Sequence, residues 1–176
     1  TTALGVCCHY THGPDASLGE SEKALAIIGF AGCAASDRFS TGYIASGLRA
    51  LTAPGTPQPL EVWEAAAPLQ RGWAGDIQWS SNEELLWAVQ RIDERRYPSQ
   101  AAAIHAAYNG LIGFVGARGY PHLARVWNYM ADINSGRGDQ ERYRQFCLGR
   151  LRAFTDSHYR LEQFPAACAL GHHGGE

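Results

Sequence analysis

The chain has 176 residues, 45% of them hydrophobic and 18% charged, with a formal net charge of -2 at pH 7. That length suits one domain whose core covers about two-thirds of the unfolded surface, and the balance excludes disordered, fibrous and collagen-like chains. The small negative charge excludes general nucleic-acid or anionic-membrane binding, which needs a surplus of cations along a surface, so any bound anion must be held by local groups.

Nearly all the positive charge is arginine, with Lys23 the sole lysine. Arginine's planar fork pairs two-pronged with carboxylates, although a proteome rich in Ala, Gly and Arg explains the bias more simply. The 5 cysteines (Cys7, Cys8, Cys33, Cys147, Cys168) are odd in number and lack disulfide-rich or zinc-finger spacing. Reduced thiols in a cytoplasm fit that pattern. No segment approaches the roughly 18 apolar residues of a transmembrane helix, and Thr1-Thr2-Ala3 shows no leader pattern. The absence of an initiating Met points to a trimmed or partial chain.

In chain order, Ala24-Leu25-Ala26-Ile27-Ile28-Gly29-Phe30 is a short apolar run closed by small residues, the pattern of a strand beside a glycine-rich bend. Residues 42–46 suit a second short strand. The prolines at 54, 57 and 59 make a loop, after which Leu60 to Ala65 alternates at period two as a strand. Asp76 to Trp79 and Leu85 to Ile92 flank the turn-rich Ser80-Ser81-Asn82-Glu83 and read as a hairpin. From Tyr97 the period changes. Ala101, Ile104, Tyr108, Leu111, Ile112 and Val115 predict an amphipathic helix with Pro98 in its first turn, ended by Gly116 and Gly119. Leu123 to Ile133 predicts a strand with Val126, Asn128 and Met130 on one face and Arg125, Trp127 and Tyr129 on the other. Asp139 is positioned to cap a second helix, on which Tyr143, Phe146, Cys147, Arg150 and Phe154 recur at helical spacing, with Cys147 as a small core residue. Strands followed by helix, strand and helix predict an α+β fold, a mixed β-sheet with two helices packed on one face, in a single domain over residues 1–176. After Phe154 the sequence offers only a polar connection, the segment from Phe164 to Leu170, and a glycine- and histidine-rich ending.

Two blocks carry a family resemblance: Gly119-Tyr120-Pro121-His122-Leu123-Ala124-Arg125-Val126-Trp127-Asn128-Tyr129 with Ile133-Asn134, and Glu141-Arg142-Tyr143-Arg144-Gln145-Phe146-Cys147-Leu148-Gly149-Arg150 with Phe164-Pro165-Ala166-Ala167. Glu61-Val62-Trp63 and Ile77-Gln78-Trp79 support them. In order and spacing this pattern resembles the N-terminal half of the chorismatases, which hydrolyse the enolpyruvyl ether of chorismate. The resemblance implies a RidA/YjgF-like half of a two-part α+β enzyme, with members roughly twice this length. It also implies that the acidic proton donor and further substrate-binding arginines lie in a C-terminal portion this chain lacks, so no catalytic residue is placed here. Where many members read Thr-Gly-Ile-Gly, this chain has Cys168-Ala169-Leu170-Gly171, a departure that points to the branch releasing 3-hydroxybenzoate.

A chorismate-like ligand presents two carboxylates on a mostly apolar ring, so its site needs fixed cations, aromatic walls and a proton donor for the enol ether carbon. Arg150 supplies a cation on an otherwise apolar helix face, where it either meets a ligand carboxylate or closes an internal salt bridge or carbonyl clamp. Tyr143, Tyr129, Asn128 and Arg125 complete the substrate-binding candidates, with core or interface packing as the plainer role of the tyrosines. Cys168, His172 and His173 are poor metal ligands, because adjacent histidines on an extended chain point to opposite faces. No metal and no cofactor is expected. A Cys-His nucleophile using Cys147 or Cys168 is also disfavoured, and Gly171 to Gly175 serves either as an anion nest or as a flexible turn.

The leading reading is thus a chorismatase-like hydrolase that releases pyruvate and leaves 3-hydroxybenzoate or a dihydroxycyclohexadiene carboxylate. Its partners are chorismate and a C-terminal portion or second chain that completes the sheet, with a homo-oligomer as one form of assembly. The alternatives are a non-hydrolytic RidA/YjgF-like assembly module and a pocket repurposed for a cyclisation.

Overall fold

A computed structural model describes residues 5–12, 21–30 and 43–173. The chain divides into two compact units, one up to Val89 and one from Gln90 onward.

In the first unit, β1 (Val6–His12), β2 (Ala24–Gly29), β3 (Tyr43–Ala45) and β4 (Pro59–Ala65) form a mixed sheet in the order β1-β4-β2-β3. β4 runs antiparallel to both β1 and β2, and β3 runs parallel to β2. Every residue of β2 is buried, as its unbroken apolar run requires of a strand covered on both faces. The period-two pattern of β4 sends Leu60 and Val62 into one cluster with Ala24, Ile27 and Tyr43. On the other face Ala26, Ile28 and Ile44 pack with Trp63, Trp87 and Val89. A Cβ at Gly29 would overlap the Tyr43 hydroxyl, so a larger residue there requires that ring to shift. β5 (Gln70–Ala74), β6 (Ile77–Ser81) and β7 (Leu86–Gln90) make a second sheet in chain order. The buried Ser80 hydroxyl of β6 donates to the Leu25 carbonyl, and Arg71 of β5 donates to the carbonyls of Ser21 and Ala24 at 2.6 and 2.7 Å.

In the second unit, α1 (Gln100–Ala117) and α2 (Arg142–Asp156) pack on one face of a parallel pair, β8 (Arg125–Ala131) and β9 (Ala166–His172). Their shared core holds Ile104, Tyr108, Met130, Phe146, Ala153 and Phe154, with Val126, Phe164 and Ala169 against it. The two helices approach at Gly149, where a Cβ would overlap the Ala101 carbonyl and lie 2.9 Å from the Ile104 Cβ. Arg142 fixes the start of α2 by donating to both carboxylate oxygens of Glu94 at 2.9 Å and to the Ala131 carbonyl at 3.1 Å.

The structure bears out the predicted strands over 24–29, 43–45, 60–65 and 125–131, the hairpin and both helices, and it corrects their ends. Ser99, not Pro98, opens α1: its hydroxyl accepts from the Ala102 amide at 3.2 Å. Asp139 sits in the turn before α2 and Glu141 holds the cap position without a side-chain bond, while Asp139 instead meets Arg144 and accepts from Gln145 through its carbonyl. Cys147 is exposed, not a core residue, because the buried stripe of α2 runs Phe146, Gly149, Ala153, Phe154. The segment after α2 forms a full strand, with Trp127 opposite Cys168 and Tyr129 opposite Leu170. Cys33 and the last glycines, at 174 and 175, lie outside the described residues.

Candidate functional site

β8 alternates, and its alternation sorts the candidates. Val126, Asn128 and Met130 face the helices. Arg125, Trp127 and Tyr129 share the opposite face, where the Arg125 guanidinium lies over the Trp127 ring at 5.1 Å. The five predicted residues therefore do not converge on one point. Asn128, Arg150 and Tyr143 are drawn together on the helix side, and Arg125 and Tyr129 are held apart from them by the thickness of the strand.

The helix-side group is built around Tyr108, one of the periodic positions of the helix predicted from Ala101 to Val115. Its hydroxyl donates to Asn128 Oδ1 at 2.8 Å, and Asn128 Nδ2 donates to the Cys168 carbonyl at 2.9 Å, so α1, β8 and β9 are joined through one phenol and one amide. Burial raises the Tyr108 pKa above its ordinary value, while the neighbouring Arg150 charge and the hydrogen bonds with Asn128 and Arg150 act against that rise. A phenol on an apolar helical stripe must find such a partner, which was the signal available in the sequence.

Arg150 stacks on an aromatic floor, 5.3 Å from the Phe154 centroid and 6.0 Å from that of Phe164. Those rings themselves stack at 4.4 Å. Among the described residues no carboxylate lies within ion-pair distance of Arg150, and its buried Nε has no hydrogen-bond partner. The internal salt bridge that would have explained this arginine is absent there. Two turns earlier, Tyr143 is 44% exposed and stacks on Phe146 at 6.1 Å. Its pKa is raised, first by the charge of the Cys147 thiolate, then by a hydrogen bond with Cys147 and by burial, with Arg150 opposing. Positions 143, 147 and 150 thus form one ridge of α2. Guanidinium, phenols and amide over aromatic rings can hold a planar carboxylate and its apolar ring.

Other titratable groups are occupied elsewhere. His105 Nε2 lies 2.7 Å from Asp156 Oδ2 and links the helices. His172 Nδ1 is 3.3 Å from the His173 carbonyl, and neither histidine joins Cys168 in a metal-ligating group among the described residues. Among those residues, too, no helix is long and apolar enough to cross a membrane.

The family described as chorismatase FkbO/Hyg5-like, N-terminal, matches residues 61–176. A chorismatase of Streptomyces rapamycinicus is 38% identical over 117 residues, 65% of this chain and 34% of the relative. A 3-hydroxybenzoate synthase of Streptomyces hygroscopicus is 32% identical over 127 residues, 71% of this chain and 36% of the relative. A chorismatase crystal structure superimposes with a TM-score of 0.71 at 28% identity, covering 99% of this chain and 52% of that one. The matched stretch therefore spans about a third of each of these curated relatives, and the chain about half of the solved structure. With the family's N-terminal pattern matched across residues 61–176, well over half of its length, the chain belongs to the FkbO/Hyg5-like chorismatases.

Proposed function

We propose that this chain is the N-terminal, substrate-holding part of a chorismatase that cleaves the enolpyruvyl ether of chorismate to pyruvate and 3-hydroxybenzoate or a dihydroxycyclohexadiene carboxylate. The observation that carries the reading is Arg150. A guanidinium seated on Phe154 and Phe164, with no carboxylate beside it among the described residues, is a cation whose charge an incoming anion would balance. In this reading Arg150 takes a ligand carboxylate two-pronged, Tyr108 and Asn128 hold the guanidinium in place, and Tyr143 donates to the ligand from the exposed end of the ridge. Arg125 and Tyr129 face a different surface, so their part in substrate binding requires a second portion of protein folded over that face. Such a portion, completing a RidA/YjgF-like sheet, would also bring the acid.

The reaction begins with protonation of the enol ether's terminal carbon by a carboxylic acid. Water then adds to the resulting oxocarbenium carbon, and the hemiketal collapses to pyruvate and the ring alcohol, from which loss of water gives the aromatic product. No carboxylate stands beside Arg150 among the described residues, which supports an acid supplied from outside this chain. The test is pyruvate release from chorismate, followed with lactate dehydrogenase. The chain alone should release none, and the chain joined to the C-terminal portion of a chorismatase relative should release it at an enzymatic rate. Turnover by the 176-residue chain alone would overturn the division of labour, and a well-folded joined protein without turnover would overturn the function.

A further inference from the structure

We propose that Cys7, His9 and Glu64 form a site for a divalent metal of the zinc class on the outer strand pair of the first sheet. The inference is independent of the chorismate reading, because these residues lie in the first unit and the substrate-holding group in the second. Strand alternation puts Cys7 and His9 on the same face of β1, with Cys8 on the other. The antiparallel register places Glu64 of β4 directly opposite Cys7, and hence diagonal to His9, which faces Val62. Opposed and diagonal positions on an antiparallel pair are those from which long side chains meet.

The donor atoms bear this out. The Cys7 sulfur, a ring nitrogen of His9 and a carboxylate oxygen of Glu64 all lie within 4.8 Å of one another, and His9 Nδ1 stands 3.8 Å from Glu64 Oε2. Zinc bonds of about 2.0–2.3 Å, tetrahedrally arranged, separate such donors by roughly 3.4–3.6 Å. Each side chain must therefore close in by about 1 Å or less. Cys7 and His9 are exposed and Glu64 half-buried, so rotamer adjustment suffices without moving backbone. A bare His9–Glu64 ion pair at an exposed edge contributes little, and it leaves the third donor beside it unexplained.

The donor set selects the metal. One thiolate, one imidazole and one carboxylate suit zinc and its neighbours, whereas calcium and magnesium demand a cage of oxygens. Thiolate and carboxylate together balance the cation's charge. An open cleft of about 400 Å³ borders Cys7 and Glu64 and leaves room for water in the fourth position. Lys23 also lines that cleft but cannot ligate while protonated, so the protein supplies three ligands. Bound metal would pin edge strand β1 to β4, making an open edge less free to pair with another chain.

The experiment titrates the reduced chain with Co²⁺ and reads the thiolate-to-cobalt charge-transfer absorption, then measures Zn²⁺ competition. Cys7→Ser should abolish the band. His9→Gln and Glu64→Gln should each weaken affinity at least tenfold, a loss typical of removing one ligand or its support, while Cys8→Ser should change neither band nor affinity. In the unmutated chain, Zn²⁺ should slow alkylation of Cys7, resolved by peptide mass mapping, and leave that of Cys8 unaltered. The proposal falls if no thiolate band forms, if the band survives Cys7→Ser, if Cys8→Ser weakens binding as much as Cys7→Ser, or if Zn²⁺ gives Cys7 no protection.

Discussion

Replacing Tyr108 with Phe removes one oxygen from the centre of the second unit, and the structure allows its cost to be worked out. The ring keeps its packing, with centroids 5.6 Å from Phe154 and 6.4 Å from Phe146, so no cavity opens. What is lost is the 2.8 Å bond to Asn128 Oδ1, which leaves a partly buried amide oxygen without its donor, together with the hydroxyl's hydrogen bond with Arg150. A buried polar atom stranded in this way costs about 1–3 kcal/mol, against about 3–5 kcal/mol for deleting the whole aromatic side chain. Urea unfolding should therefore show a lower midpoint at an unchanged slope. Pairing the change with Asn128→Ala in a double-mutant cycle should give a coupling of about 0.5–3 kcal/mol. The penalty should also shrink at high pH. The folded chain raises the Tyr108 pKa above its ordinary 10.0, so it holds the proton more tightly than the unfolded chain does. The group's contribution is full below about pH 10 and is lost as pH rises through the folded value. A Tyr108→Phe chain as stable as the parent, or strict additivity with Asn128→Ala, would refute the bridge between α1 and β8.

Gly149→Ala sets a gain of about 1 kcal/mol in helix propensity against an overpacking cost of about 1–3 kcal/mol, because the new methyl meets the Ala101 carbonyl of α1. The backbone cannot yield as a flexible side chain would, so calorimetry should show a lower Tm; a rise would mean that the helices are not this close. Glu94→Gln weakens the two-pronged bond to Arg142 at a half-exposed site and should cost about 1 kcal/mol or less in low salt, the loss shrinking as salt is added. With the chain joined to the C-terminal portion of a chorismatase relative, Cys147→Ser and Cys168→Ser should each retain more than about a tenth of that protein's turnover, since loss of a true nucleophile costs orders of magnitude more. Complete loss in a folded variant would make that thiol a nucleophile.

The elements legible in the sequence were those whose burial follows one period. The unbroken apolar run of β2, the alternation of β4 and β8, and the helical spacing of Ile104, Tyr108 and Phe146, Phe154 each report a face that must be covered. β1 was not legible, because an edge strand with most of its side chains exposed carries no apolar alternation, and β5, a short Gln-Arg-Gly-Trp-Ala, gave none either. Helix starts were misplaced where several residues compete within one turn: Pro98, expected in the first turn of α1, precedes the cap Ser99, and Glu141 rather than Asp139 holds the cap position of α2. Arg150 stands out in the sequence as an arginine beside an apolar stripe. Whether an internal acid met it depended on residues distant in sequence. The same holds for Glu64, which only the β1–β4 register brings beside Cys7 and His9.

The central claim is that Arg150 is an anion-holding cation, and calorimetric titration of the folded chain with chorismate and with 3-hydroxybenzoate, before and after Arg150→Lys, tests it most directly. Lysine keeps the charge and loses the fork, along with its stacking on Phe154 and Phe164. Losing a charge-assisted bond of about 1.5–3 kcal/mol corresponds to affinity weakened roughly 10- to 160-fold, with the circular dichroism spectrum and urea midpoint retained. Equal affinity for both ligands in the parent and in a well-folded Arg150→Lys chain would contradict the account and leave Arg150 as a packing residue of α2.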